Sequence, residues 1–297
     1  QFGMLLTYMA DSGHDSALLS DLEDFYRQAK EQFDSEPEFS VRSRQTVVNL
    51  QSGSPYERTH WNKFIEISMA HCQQIYKKLR VSLEQRDVKG ESSFNEMLPT
   101  IIESLETKDL IKNSEGAKCV FLKDFKAPLI VQKSDGGYLY STTDLAAIRY
   151  RTDKLEANRI LYFVDSRQSL HFRQVFSVAQ SAGLNSSDAS LEHMAFGTML
   201  NEDGKPFKTR EGGLIKLMPL INEAIRRGTK TVLEKNPEMT IEEASLIGES
   251  IGIAAIKYAD LSKNRTNDYV FNWDQMLSLE GNTAPYLLYA YTRIQRL

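Results

Sequence analysis

Apolar positions recur at helical spacing through most of the first 110 residues and then give way to short β-branched and aromatic runs. The chain runs at once into Phe2, Met4, Leu5 and Leu6, which reads as the middle of an element. Ser20 and Glu23 form a capping-box pattern ahead of Leu22, Phe25, Tyr26, Ala29 and Phe33. Ser54 and Pro55 open a second helix with Trp61, Phe64, Ile65, Ser68, Cys72, Ile75, Tyr76 and Leu79 on one stripe, and a third carries Leu98, Ile101, Ile102 and Leu105. From about residue 117 strands are predicted over 119–122, 128–133, 138–140, 160–164 and 193–197, with a hairpin turn at Ser134 to Gly137. Helices starting near Thr143 and Ser169 separate the later strands, and that alternation predicts a parallel α/β sheet. The pattern is helical again over 215–235, 241–263 and 283–297. The expected division is residues 1–13 ending one half of a core, 14–116 as a mainly helical insertion, 117–215 as the second half, and 216–297 as a helical segment.

Composition narrows the class. Of 297 residues, 41% are hydrophobic and 26% charged, which excludes a disordered or fibrous chain. Apolar runs such as Leu129 to Val131 fall far short of the roughly 20 residues a membrane span requires. Cys72 and Cys119 stand apart from any Cys-x-x-Cys or Cys/His cluster, so neither a disulfide framework nor a metal site is readable, and a cytoplasmic setting is expected. A net charge of -4 shows no global basic field of the kind that marks nucleic-acid binders, although a local patch is compatible with it.

Polar residues concentrate where strand signals meet helix signals, the usual place for ligands in a parallel α/β sheet. Tyr140 and Asp144 lie one turn apart at the first such crossing. On the bland reading Thr142 or Thr143 caps a helix and Asp144 complements its dipole; on the functional one, a carboxylate beside an aromatic hydroxyl suits a planar guanidinium. Gln168 and His171 stand at the second crossing, where they are either a surface helix start or a site that binds phosphate through free backbone amides. The third stretch, Gly197 to Gly213, carries Lys205, Lys208 and Arg210. It is either a solvated turn or a polyphosphate clamp, and it lacks the P-loop pattern.

These residues resemble a known family. Lys205-Pro-Phe-Lys-Thr-Arg-Glu-Gly212 is similar to the degenerate second signature of bacterial arginyl-tRNA synthetases. Tyr258 to Arg265, Phe271 to Asp274 and Glu280 to Arg293 resemble the runs that follow their catalytic domain, and Leu50 to Gly53 and Gly90 to Ser92 extend the match upstream. The resemblance covers essentially the whole chain. It implies a class I synthetase: the second half of a Rossmann-like parallel sheet with a helical insertion and a C-terminal helical segment. The implied activity joins arginine to tRNA(Arg) using ATP with Mg²⁺, in a monomer without membrane attachment. Carried over residue by residue, Tyr140, Asp144 and Gln168 look like the arginine pocket. His171 and Gln174 look like residues near ATP, Met199 like the backbone contact to adenine, and Lys208, Thr209 and Arg210 like the ATP loop.

Two departures qualify this. The His-x-Gly-His signature expected just before Gln1 is absent, and the one Gly-His pair, Gly13 and His14, has the wrong context. In the general class I loop the second lysine falls where Thr209 stands. A fragment is therefore expected, showing little or no synthesis by itself. Two other readings stay open at this point: another nucleotide-binding α/β protein, including another class I synthetase, and a non-catalytic tRNA-binding piece.

Overall fold

A computed structural model describes residues 2–13, 22–186, 188–205 and 217–296. The chain forms two compact units, residues 1–87 and 88–297.

The first unit is helical: α1 (Phe2–Ser12), α2 (Leu22–Ser35), α3 (Pro37–Ser52) and α4 (Pro55–Lys78). Met4, Leu5, Leu6 and Met9 bury α1 on most of its sides, against Phe25, Phe39 and Phe64 from the other three helices. Proline at the first position of α3 and α4 sets φ for entry where no intrahelical N–H partner is needed. The helix expected at Ser54 and Pro55 is α4; Ser20 of the expected capping box lies outside the described residues.

The second unit opens with a 3-10 segment (Glu91–Met97) and α5 (Leu98–Thr107), which buries Leu98, Ile101, Ile102 and Leu105 as their spacing predicts. Strands β1 (Ile111–Ser114), β2 (Ala117–Val120) and β3 (Leu129–Gln132) follow as an antiparallel sheet in the order β1-β2-β3. The parallel pairing expected where helices separate the later strands does not extend to these early ones. Glu115 (φ 51°) and Gly116 (φ 80°) form a two-residue turn with both φ positive, which returns the chain directly alongside itself. The turn at Ser134 to Gly137 is present, with Lys133 N–H donating to Gly137 O at 2.8 Å. The strand expected after it shrinks to one bridge, Gln132 with Tyr138, because the chain enters α6 (Tyr140–Asp153) at once.

Parallel pairing appears next. Strand β4 (Arg159–Tyr162), α7 (Ser169–Ala182) and β5 (Ser190–His193) form a strand-helix-strand unit, and a parallel bridge from Asp165 to Phe196 prolongs the pairing. Leu145, Ile148, Val175 and Val178 fill the core between α6, α7 and the strands. A second parallel pair joins β6 (Met199–Leu200) to β7 (Tyr269–Val270).

Between β6 and β7 the chain makes α8 (Leu217–Lys235) and α9 (Ile241–Leu261), the latter capped by a reciprocal Thr240 and Glu243 box. These helices run antiparallel and touch through glycine. A Cβ on Gly252 would lie 2.6 Å from the Ala224 carbonyl oxygen, and one on Gly228 equally close to that of Gly248. Short α10 (Trp273–Met276) and α11 (Ala284–Ile294) complete the unit. Among the described residues no helix is long and apolar enough to cross a membrane.

Candidate functional site

The first turn of α6 is anchored by hydroxyls that do not cap it. Leu139 occupies the capping position without a side-chain bond, and its carbonyl accepts from the amides of Thr142 (3.0 Å) and Thr143 (3.3 Å). The Thr142 hydroxyl donates to Val131 O and that of Ser141 to Ile130 O at 2.5 Å, both carbonyls of β3. Capping by Thr142 or Thr143 is thereby corrected: the buried hydroxyls pin the helix start to the strand instead. Pinned this way, α6 presents Tyr140, 60% exposed, and Asp144 one turn later.

The start of α7 is set by Asp165. Its carboxylate accepts from the Arg167 amide and from both arms of the Arg167 guanidinium, each at 2.8 Å, which shapes the 3-10 turn Ser166–Gln168. The Arg167 guanidinium holds the Asp165 carboxyl well below the usual range, at about 2. Gln168 then takes the capping position of α7, exposed and without a side-chain cap bond.

His171, in the first turn of α7, meets Asp144. Its Nε2 lies 2.7 Å from Asp144 Oδ2, and its ring lies against those of Tyr140 (centroids 4.6 Å apart) and Phe172 (5.0 Å). The His171 side chain is 11% exposed and that of Asp144 28%. Behind them Tyr162 of β4 is buried; its hydroxyl accepts from Arg151 Nη1 at 2.8 Å. Burial, reinforced by the nearby Asp144 charge, pushes the Tyr162 phenol up to about 12. Phe172 also packs on Tyr162 and on His193, making an aromatic wall under the pair.

The structure thus brings Tyr140, Asp144 and His171 together. Gln168 lies one turn before His171, with no side-chain hydrogen bond to Asp144 or Tyr140 among the described residues. Gln174 is 7% exposed and donates from Nε2 to Ala127 O at 2.7 Å, tying the loop ahead of β3 to α7. Met199 sits on β6 opposite Tyr269. The approach to β6 needs Gly197: a Cβ there would lie 2.4 Å from Asn267 O. Thr198 N–H donates to Asp268 Oδ1 at 2.7 Å, and Arg265 donates to Ala195 O. Burial and Asp260 push the Tyr269 phenol well above its ordinary value. Lys205 ends a turn closed by its own N–H to Asn201 Oδ1 at 2.9 Å. Lys208, Thr209 and Arg210 lie outside the described residues.

Sequence reasoning named Asp144 and His171 but placed them at different ligands; a pairing across 27 residues leaves no spacing signal. It missed the Arg151 and Tyr162 pair and the tie between Gly197 and residues 265–268. The first hides in ordinary helix and strand patterns. The second was foreshadowed by the polar run after Tyr258, which read only as a resemblance.

Residues 1–273 match the family described as tRNA synthetases class I (R), catalytic domain. An arginine–tRNA ligase from Hahella chejuensis is 56% identical over 305 residues, covering 99% of this chain and 53% of that protein. One from Pseudomonas entomophila is 54% identical, covering 99% and 52%. The chain spans about half the length of the curated relatives it matches. Among solved structures, the arginyl-tRNA synthetase of Plasmodium falciparum superimposes with a TM-score of 0.82 at 32% identity, covering 99% of this chain and 49% of that one. The Thermus thermophilus enzyme shares the fold, with a TM-score of 0.71 at 19% identity over 98% of this chain and 54% of its own. With its helical first unit, its parallel strand-helix-strand unit and a family match over residues 1–273, the chain belongs to the catalytic-domain family of class I arginyl-tRNA synthetases.

Proposed function

We propose that this chain supplies the amino-acid pocket and part of the nucleotide site of an arginine–tRNA ligase acting in the cytoplasm as a monomer. The observation that carries the reading is the convergence of Tyr140, Asp144 and His171 at the starts of α6 and α7, in a chain of this family. A partly buried carboxylate beside an exposed aromatic ring is suited to a guanidinium, which combines charge with directed N–H donors and a face that stacks. Gln168, one turn from His171, would offer an amide oxygen to the same ligand.

In the proposed reaction a carboxylate oxygen of arginine attacks the α-phosphorus of ATP. The bond to the bridging oxygen breaks, pyrophosphate leaves and arginyl-adenylate forms. A ribose hydroxyl at the 3′ end of tRNA(Arg) then attacks the arginyl carbonyl, and AMP departs. No protein nucleophile is needed, so the chain's contribution is placement and charge neutralisation. Met199, held on β6, would offer its backbone to the adenine ring, and Lys208 and Arg210, with Thr209, would face the phosphates. Among the described residues no group of three His, Cys, Asp or Glu side chains is placed to hold a metal ion. Mg²⁺ would come bound to the triphosphate, where it neutralises charge.

Thermal unfolding tests the reading: arginine raises the midpoint, whereas lysine and citrulline at equal concentration do not. Charging of tRNA(Arg) is then compared between this chain and a polypeptide extended to the relatives' full length, with turnover expected only in the longer one. Stabilisation by another amino acid in preference to arginine overturns the assignment.

A further inference from the structure

Asp144 has two carboxylate oxygens, and the described residues engage one of them. Oδ2 faces His171 Nε2 at 2.7 Å, while among the described residues Oδ1 has no protein hydrogen bond. An ionised carboxylate only accepts, so Nε2 is the donor and carries a proton. The His171 ring is held in place by Tyr140 on one side and Phe172 on another, and its backbone belongs to the first turn of α7. Tyr140 and Asp144 rise from the same face of α6, so one imidazole touches both groups expected to meet the ligand.

We infer that His171 is a positioning residue: it fixes Asp144 as a single-oxygen acceptor of set direction, so that a guanidinium binds Oδ1 and places its remaining N–H groups on neighbouring acceptors. The inference rests on the reading of Asp144 and Tyr140 as an arginine pocket. It departs from the role near ATP that the family resemblance implied for His171. A carboxylate free to turn follows a compact ammonium as readily as a planar guanidinium; one held by a neighbour selects for direction, as orienting partners do around other recognition groups. The His171 bond therefore contributes to discrimination against lysine as well as to arginine affinity.

Calorimetric titration of the purified protein with arginine, lysine and ATP, each alone, tests this. His171→Leu removes the donor and keeps apolar bulk; arginine affinity is expected to fall about ten- to a hundredfold, the range for a hydrogen bond to a charged group. Its preference for arginine over lysine narrows and its ATP affinity is retained. His171→Gln, whose amide N–H reaches the same place, restores most of the arginine affinity. Should His171→Leu fail to fold, His171→Asn, too short to reach Asp144, is expected to show the same loss. Unchanged arginine affinity in the donor-less variant, equal losses for arginine and ATP, or failure of glutamine to rescue would each overturn the inference. Asp144→Asn separates the two levels: loss there without loss at His171 overturns the positioning role alone, whereas full arginine affinity in Asp144→Asn overturns the pocket as well.

Discussion

His171 Nε2 lies 2.7 Å from Asp144 Oδ2, joining the first turn of α7 to the second turn of α6 across 27 residues of sequence. Because the two helices leave different strands, this bond also fixes the angle at which the two strand-to-helix crossings face each other.

Tyr140 tests how far that geometry depends on ring packing. Tyr140→Ala removes the ring 4.6 Å from His171, while Tyr140→Phe keeps it. An exposed aromatic contact contributes about 0.5 kcal/mol, at the low end for such pairs. Only the alanine variant is expected to shift and broaden the His171 ring resonances in NMR spectra. Equal spectra for the two variants would show that the ring does not hold His171.

Thr142→Val tests the anchoring of α6. The substitution keeps shape, removes the donor to Val131 O and leaves a buried carbonyl unpaired. Urea unfolding should show a loss of about 1 to 2 kcal/mol. Thr143→Val, whose hydroxyl lies 3.5 Å from Leu139 O, should cost less. The reverse order would restore a capping role to Thr143.

The contact between α8 and α9 is tested by Gly252→Val. Two branches cannot be accommodated where even a Cβ would lie 2.6 Å from the Ala224 carbonyl oxygen, so a loss of roughly 3 kcal/mol is expected. Gly90→Ala, at a site open to solvent, serves as control and should leave the urea midpoint unchanged. A tolerated valine at residue 252 would mean that the helices can separate without cost.

Acid should weaken α8 through Glu223. Its carboxylate accepts from Arg226 at 2.7 and 2.8 Å and from Arg227 at 2.7 Å, and these guanidiniums lower its pKa from 4.5 to about 2. The folded value is below the unfolded one. The contribution is therefore complete above about pH 4.5 and lost as pH falls toward about 2. With the side chain 32% exposed, screening limits it to about 0.5 to 1 kcal/mol. The difference in melting temperature between wild type and Glu223→Gln should shrink across that window. A constant difference would leave the ion pairs without a role in acid stability.

Much of the helical architecture was legible in the sequence. The apolar stripe from Trp61 to Leu79 and the buried set Leu98, Ile101, Ile102 and Leu105 announce α4 and α5, because one-sided burial imposes a period that survives in any single sequence. Strand direction was legible only where helices separate the strands, an alternation that predicts the parallel pairing of β4 with β5. Parallel and antiparallel pairs use the same β-branched residues, and the deciding signal was the two-residue turn at Glu115 and Gly116. At the site, Asp144, Tyr140 and His171 stood out as residue types at helix starts. That they touch one another depends on where α6 and α7 emerge from different sheets, which local pattern does not encode. Thr142 looks like a cap for the same reason: a hydroxyl at a helix start reads alike whether it bonds its own helix or, as here, a strand behind it.

The pairing of Met199 and Leu200 with Tyr269 and Val270 has a consequence for the order of folding. Thr198 and Asp268, joined by a hydrogen bond, are 70 residues apart, so closing this link in an open chain carries the entropy cost of a long loop. Once α8 and α9 have zipped together through their glycines, the loop to be closed shortens from 70 to about 25 residues in length, which lowers that cost by about 1 kcal/mol. The helical hairpin is thereby expected to act as a clasp that folds first and delivers the two short strands to each other. In pulse-labelling hydrogen exchange during refolding, the amides of Tyr269 and Phe271, which donate to Thr198 and Leu200, should gain protection after those of α8 and α9. In Gly252→Val, where the clasp is forced apart, they should gain it later still.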